Sequence, residues 1–139
     1  MSNIEVFNRV VATVFKELYS SFPKPVFLKA AELRVAAEIT DDAWWEVTRG
    51  ANLNPVGCAL IWLHDEGFIR YSDEAGCSVF ANVVLTAKGF AALNKSPESL
   101  ASKPTIGERL KELSKTATSE TVSNLVKIAL SQAFTGLAQ

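Results

Sequence analysis

The sequence predicts an α+β fold that is mainly helical. Apolar residues recur at helical spacing in several segments, and two short aromatic and β-branched runs flank a turn-forming sequence. A polar stretch with two prolines then separates these elements from the last third of the chain. With 139 residues, 48% of them hydrophobic, the chain can bury a core and is too apolar for a disordered protein.

Residues 3–20 predict a first helix with one buried stripe, because their apolar residues follow the i, i+3, i+4, i+7 spacing. Those residues are Ile4, Phe7, Val10, Val11, Val14, Phe15 and Leu18. Pro23 and Pro25 end this helix and keep residues 22–25 extended.

A second, shorter helix is predicted from Phe27 to Ile39. The apolar residues compatible with it are Leu28, Ala31, Leu33, Val35, Ala36 and Ile39.

Two more helices are predicted before the strands. Thr40 is a candidate N-cap for a short helix that runs through Val47 and ends near Gly50. Asn54 and Pro55 are a typical N-cap and first helical residue for a helix over residues 55–66, which Gly67 ends. The residues expected to be buried on that helix are Val56, Ala59, Leu60 and Leu63.

Residues 68–72 and 78–85 predict two strands joined by the turn-forming residues 73–76. Thr86 is expected to cap a short helix over residues 87–93. The predicted organisation is therefore a domain over residues 1–94, a linker over 95–104 and a C-terminal helical hairpin or tail over 105–139.

Two stretches resemble a winged helix-turn-helix domain: ALIWLHDEGFIRY at residues 59–71 and VLTAKGFAAL at residues 84–93. In that family the helix ending in L-x-x-x-G-x-I is the recognition helix, the hairpin is the wing, and L-T-x-K-G opens the closing helix. The resemblance covers residues 3–94 and implies three or four helices plus a two-stranded wing, with the C-terminal helices as an extension. The tight turn before the recognition helix is replaced here by a longer stretch that contains Trp44 and Trp45.

The charge pattern is unfavourable for nucleic-acid binding. Residues 1–94 carry eight basic and eleven acidic side chains, a net charge of −3. On residues 54–66, Asn54 alone has a base-reading side chain away from the apolar stripe, and it is expected to cap the helix. A DNA-binding transcriptional regulator that reads duplex DNA through helix 55–66 and the 70–84 wing is the alternative function. Its candidate contacts are Lys24, Lys29, Arg34, Arg49, Asn54 and Arg70.

The favoured function is a non-enzymatic binding module, an adaptor or regulator that acts mainly through protein–protein contacts and self-association. Tryptophan is enriched among interface anchors, and two apolar side chains fall on the helix whose face should be exposed. At least one of the three tryptophans is expected to belong to the core. The candidate partner-binding residues are Trp44, Trp45, Ile61 and Trp62.

The last helix, residues 120–137, has a wide apolar stripe that needs a covering surface. It can fold back on its own domain, pair with residues 106–113, or pack against a second copy, so a homo-oligomer through residues 105–139 is one expectation. The candidate self-association residues are Leu125, Ile128, Phe134 and Leu137.

Other functions find little support in the sequence, and no cofactor, metal or small-molecule substrate is expected. His64, Asp65 and Glu66 are consecutive and should splay around their helix. Cys58 and Cys77, with one histidine, cannot fill a four-ligand metal site unaided, and they suit a reducing compartment. No run approaches the roughly 20 apolar residues of a membrane span. The first residues lack a basic signal region, so a cytoplasmic location is expected.

Overall fold

The computed structural model describes residues 1–49, 54–96, 104–113 and 118–137, with side chains described up to residue 131. Within these residues the fold is α+β and mainly helical, which confirms the predicted class. The elements in chain order are α1 (Asn3–Ser21), β1 (Val26–Lys29), α2 (Ala30–Ala36), α3 (Asp41–Thr48), α4 (Pro55–Asp65), β2 (Ile69–Arg70), β3 (Asp73–Ala75), β4 (Val79–Leu85), α5 (Ala87–Leu93), α6 (Ile106–Glu112) and α7 (Ser119–Leu137).

Side-chain caps start the helices where the sequence predicts them. Thr40 Oγ1 accepts a hydrogen bond from Ala43 N at 3.2 Å, and Thr86 Oγ1 accepts one from Gly89 N at 3.1 Å. The predicted end of α3 near Gly50 agrees with the C-cap at Arg49, whose φ of 47° is left-handed; Gly50 itself lies outside the described residues.

The single helix predicted from Phe27 to Ile39 is wrong, because the chain first forms a strand and then a shorter helix. β1 pairs with β4 in antiparallel register, and Leu28 lies opposite Phe80. The pairing partner is distant in sequence, so the hydrogen bonds of β4 override a local pattern that also fits a helix. As a result Val35, predicted in the apolar stripe, is exposed on α2.

The predicted wing, residues 70–84, also differs from a simple two-stranded hairpin. Asp73 and Glu74 belong to β3 instead of a turn, and the turn falls at Gly76 and Cys77, whose φ values are 57° and 58°. β4 is the long central strand, with β1 on one side and β2 and β3 on the other. In the described part of the chain the sheet therefore has four strands, of which β1, β2 and β3 are short.

The C-terminal helices pack against α1 of the same chain. Asn8 is buried on α1 and donates from Nδ2 to Ser123 Oγ on α7 at 3.0 Å. Arg9 reaches Ser119 Oγ at 2.9 Å, so α1 and α7 are joined by polar contacts as well as apolar ones. The residues of α6 and α7 that join the core are Ile106, Leu110, Val122, Leu125, Val126 and Ala129.

The two sequence stretches that suggested a winged helix are in direct contact. Thr86 Oγ1 donates to the carbonyl oxygen of Gly67, and Lys88 Nζ donates to that of Glu66 at the end of α4. Gly89 packs tightly beside this joint, because a Cβ atom added to it would lie 2.1 Å from the carbonyl oxygen of Phe68. The second motif therefore closes the end of α4.

Candidate protein-interaction surface on α4

α4 presents an outward face without a cation. Its inner residues Val56, Ala59, Leu60 and Leu63 are buried in the core. The side chains of Cys58, His64 and Asp65 are exposed, and those of Ile61 and Trp62 are half-buried. No lysine or arginine occurs between Pro55 and Asp65. The face therefore offers apolar surface, a thiol and a carboxylate.

A shallow apolar groove adjoins this face, where α1, α3 and α4 meet. It is lined by Phe7, Val47, Cys58 and Trp62 among others. Trp62 contacts the edge of Phe7 with ring centroids 5.3 Å apart and rings at 90°. Its other neighbour is the core residue Phe68, 6.4 Å away and nearly parallel. Trp62 is thus held between core and groove.

The tryptophans of α3 have different surroundings. Trp44 is half-buried, and the guanidinium carbon of Arg34 lies 4.5 Å from its ring centroid. Trp45 is 68% exposed. Because Trp45 and Val47 are about 200° apart around the helix, Trp45 points away from the groove. The four predicted partner-binding residues therefore do not form one area: Ile61 and Trp62 lie on α4, Trp45 is exposed on α3, and Trp44 is half-buried beside Arg34.

The wing is fastened to the start of α4. Asn54 Oδ1 accepts from Val56 N at 3.1 Å and Gly57 N at 3.3 Å, while its Nδ2 donates to the carbonyl oxygen of Cys77 at 3.2 Å. A Cβ atom on Gly57 would lie 2.1 Å from that same oxygen. Asn54 is therefore committed to the cap, as predicted, and to the wing.

The electrostatic surroundings between the wing and α4 are negative. Burial, followed by the carboxylates of Glu74 and Asp65, raises the pKa of Tyr71 above its ordinary value. The Tyr71 ring packs 4.6 Å from His64. His64 Nδ1 lies 3.2 Å from Asp65 Oδ1, so these two side chains meet, contrary to the predicted splay.

Three of the six candidate nucleic-acid contacts, Lys29, Arg34 and Asn54, line one cavity, but the six do not form one basic strip. Arg34 forms an ion pair with Asp41 at 2.6 Å. Lys29 lies opposite Val79 and Arg70 opposite Val84, at opposite ends of β4. Five residues of strand separate these positions by about 17 Å. Lys24 and Arg49 are exposed.

The candidate self-association residues lie on α7. Leu125 is only 8% exposed and packs in the core of its own chain. Ile128 is half-buried against that core. The side chains of Phe134 and Leu137 lie outside the described residues.

Sequence analysis missed one exposed aromatic residue, Phe27 on β1, which is 56% exposed. The signal that could have found it is Pro25 followed by Val26-Phe27-Leu28-Lys29, a short β-type run after a proline.

Within the described residues, no three metal-ligating side chains of His, Cys, Asp or Glu type come together. None of the helices in the same part of the chain combines the length and apolar character needed to cross a bilayer. Cys58 and Cys77 are free thiols.

Comparisons with protein-family models, with curated proteins and with solved structures each found no match to this chain.

Proposed function

We propose that this chain is a cytoplasmic, non-enzymatic winged-helix module, an adaptor or regulator that binds a protein partner through α4 and Trp45. The observation that carries the proposal is the outward face of α4, where Cys58, Ile61 and Asp65 occupy the positions from which a recognition helix would contact DNA. Apolar and aromatic side chains in such a position favour a polypeptide partner, because burying them against apolar surface of the partner removes them from water. A phosphate backbone has no apolar surface to bury them against.

The winged-helix part of the proposal is supported by the order of elements and by their contacts. α4 ends at a glycine, a hairpin follows, and α5 begins with the L-T-x-K-G motif. The contacts of Thr86 with Gly67 and of Lys88 with Glu66 give both motifs a shared structural role at that joint. The free thiols of Cys58 and Cys77 suit the cytoplasm.

The DNA-binding alternative loses support at three places. Asn54, the base-reading candidate on α4, has its amide committed within the chain. Arg34 is paired with Asp41. Glu74 on the wing and Asp65 on α4, the carboxylates that act on Tyr71, would repel a phosphate group that approached them.

To test the partner hypothesis, the chain is immobilised and an extract of the source organism is passed over it. The measurement is the amount of protein that the chain retains. The wild type and the matched control Val35→Ser, an exposed apolar residue on α2, should retain the same protein. Ile61→Ser and Trp45→Ala should each lose most of it, since interface anchors account for much of the binding energy. Equal retention by all four proteins would contradict the proposed surface.

A second experiment tests the alternative directly. The wild type is titrated against a random-sequence DNA duplex at low and at moderate salt, with fluorescence anisotropy of the duplex as the readout. We expect affinity weaker than the roughly 10⁻⁴ to 10⁻⁶ M of ordinary non-specific binding. Tight binding with a steep loss between the two salt concentrations would replace the proposal with a DNA-binding function.

A further inference from the structure

The outer edge of β1 has backbone groups that face away from the sheet. Ala30 N donates to the carbonyl oxygen of Ser78 at 2.7 Å, so Ala30 faces β4, and Leu28, two residues earlier on the same strand, faces it as well. In an antiparallel ladder the alternate residues point the other way, which directs the amides of Phe27 and Lys29 outward. Lys29 precedes α2, and its carbonyl oxygen serves the first helical turn. The outer edge of β1 therefore presents two N–H groups, those of Phe27 and Lys29, and one carbonyl, that of Phe27.

The side chains along this edge combine an aromatic ring with positive charge. Phe27 and Lys29 share one face of the strand, because they are two residues apart. Lys24, just before the strand, is also exposed, and neither lysine is in an ion pair with any described residue. The edge therefore presents hydrogen-bonding groups, an apolar ring and two cations within six residues.

We propose that the outer edge of β1 binds an extended acidic peptide, which adds to the sheet as a further strand. In this mode the backbone hydrogen bonds supply affinity and the alternate side chains supply specificity. A small apolar residue of the peptide would lie opposite Phe27, and carboxylates two residues away on the same face would lie near Lys29 and Lys24. Pro25 has no N–H group, so the added strand is short.

The positive charge selects an acidic partner over a second copy of this chain. Pairing two β1 edges would bring Lys24 and Lys29 of both copies together, and like charges across adjacent strands are destabilising. A nucleic acid could satisfy the lysines but would leave the backbone groups of Phe27 and Lys29 without strand-type partners. Lys24, Phe27 and Lys29 belong to β1 and the segment before it, and not to α3 or α4, so this inference goes beyond the proposed function.

The test uses full-length protein labelled with ¹⁵N and a capped probe peptide, acetyl-Glu-Thr-Val-Thr-Glu-amide, whose glutamates and valine share one face. We expect the amide hydrogen exchange of Phe27 and Lys29 to slow at least tenfold on saturation, because these N–H groups become hydrogen-bonded. Replacing the valine of the peptide by proline should abolish the effect, since it removes the N–H that pairs with the Phe27 carbonyl.

Charge reversal provides the specificity test. The double variant Lys24→Glu, Lys29→Glu should bind the glutamate peptide at least tenfold more weakly and should gain affinity for the matching lysine peptide. Phe27→Ser should also weaken binding, and Trp45→Ala should leave it unchanged, which separates this inference from the proposed function. No binding at millimolar peptide, unchanged amide exchange, equal binding of the proline peptide, or a duplex DNA that outcompetes the peptide would each overturn the proposal.

Discussion

Asn54 and Cys77 connect the start of α4 to the turn of the wing through a hydrogen bond of 3.2 Å between Nδ2 and the backbone carbonyl oxygen. The same side chain caps α4 through its Oδ1 atom. The amide oxygen of Asn54 and one of its two N–H bonds are therefore used within the chain. The wing and α4 therefore form one unit on this side of the molecule.

Asn54→Ala should lower the free energy of unfolding by about 1 to 3 kcal/mol, because it removes both the helix cap and the bond to the wing. Urea unfolding followed by far-ultraviolet circular dichroism measures this change. Asn54→Asp is the matched control, since its carboxylate keeps the cap but cannot donate to Cys77, and its loss should be smaller. Equal losses in the two variants would show that the cap contributes nothing.

Gly89→Ala should destabilise the chain by about 3 kcal/mol, because the new Cβ atom would lie 2.1 Å from the carbonyl oxygen of Phe68 and backbone must move. Gly76→Ala is the control: no atom lies within 4 Å of its Cβ position, and only the left-handed φ of 57° is strained. That variant should lose about 1 kcal/mol. The same urea titration compares them, and a Gly89→Ala loss no larger than that of the control would contradict the close packing of α5 against Phe68.

Sequence patterns identified elements whose signals are local. Thr40, Asn54 and Thr86 cap the helices they were expected to cap, because the geometry of a cap involves residues only two or three positions apart. β1 escaped prediction, since its strand depends on hydrogen bonds from β4 about 50 residues later. A short apolar run such as residues 26–29 fits either period, and local spacing cannot choose between them.

The candidate site was predicted in part for the same reason. The missing cations of α4 can be read directly from the sequence. The partner of Asn54 on the wing and the contact between Asn8 and Ser123 join residues far apart in the chain, so no local pattern encodes them. Which tryptophan is exposed also depends on neighbours from other elements: Arg34 covers Trp44, and Phe7 and Phe68 hold Trp62.

Leu125→Ala should lower the free energy of unfolding by about 2 to 3 kcal/mol, because the side chain is buried where α7 packs against α1. Since the covering helix belongs to the same chain, the unfolding midpoint of the wild type should not depend on protein concentration. Asn124→Ala, an exposed neighbour on α7, is the control and should change stability little. A midpoint that rises with concentration and loses that dependence in Leu125→Ala would instead place Leu125 in contact with a second copy.

Tyr71 gives a prediction about alkaline pH. Its pKa is raised, first by burial and then by the carboxylates of Glu74 and Asp65. The folded state therefore resists ionisation of the phenol more than the unfolded state, whose pKa is about 10. This contribution to stability is fully present below about pH 10 and is lost as the pH rises through the folded pKa. Tyr71→Phe should match the wild type near neutral pH and lose less stability above about pH 10.

Urea unfolding of both proteins across that pH range measures the effect, and the difference between them removes the contributions of the other titrating groups. Glu74→Gln keeps an acceptor for Cys77 N, which Glu74 Oε2 binds at 2.9 Å, but removes the negative charge beside the phenol. In Glu74→Gln, Tyr71 should therefore titrate at a lower pH than in the wild type, as followed by ultraviolet absorbance, although burial still raises its pKa. The prediction is contradicted if the wild type and Tyr71→Phe lose stability in parallel as the pH rises and Tyr71 titrates at an unchanged pH in Glu74→Gln. The electrostatic field between the wing and α4 would then not be negative. The electrostatic argument against phosphate binding would fail with it.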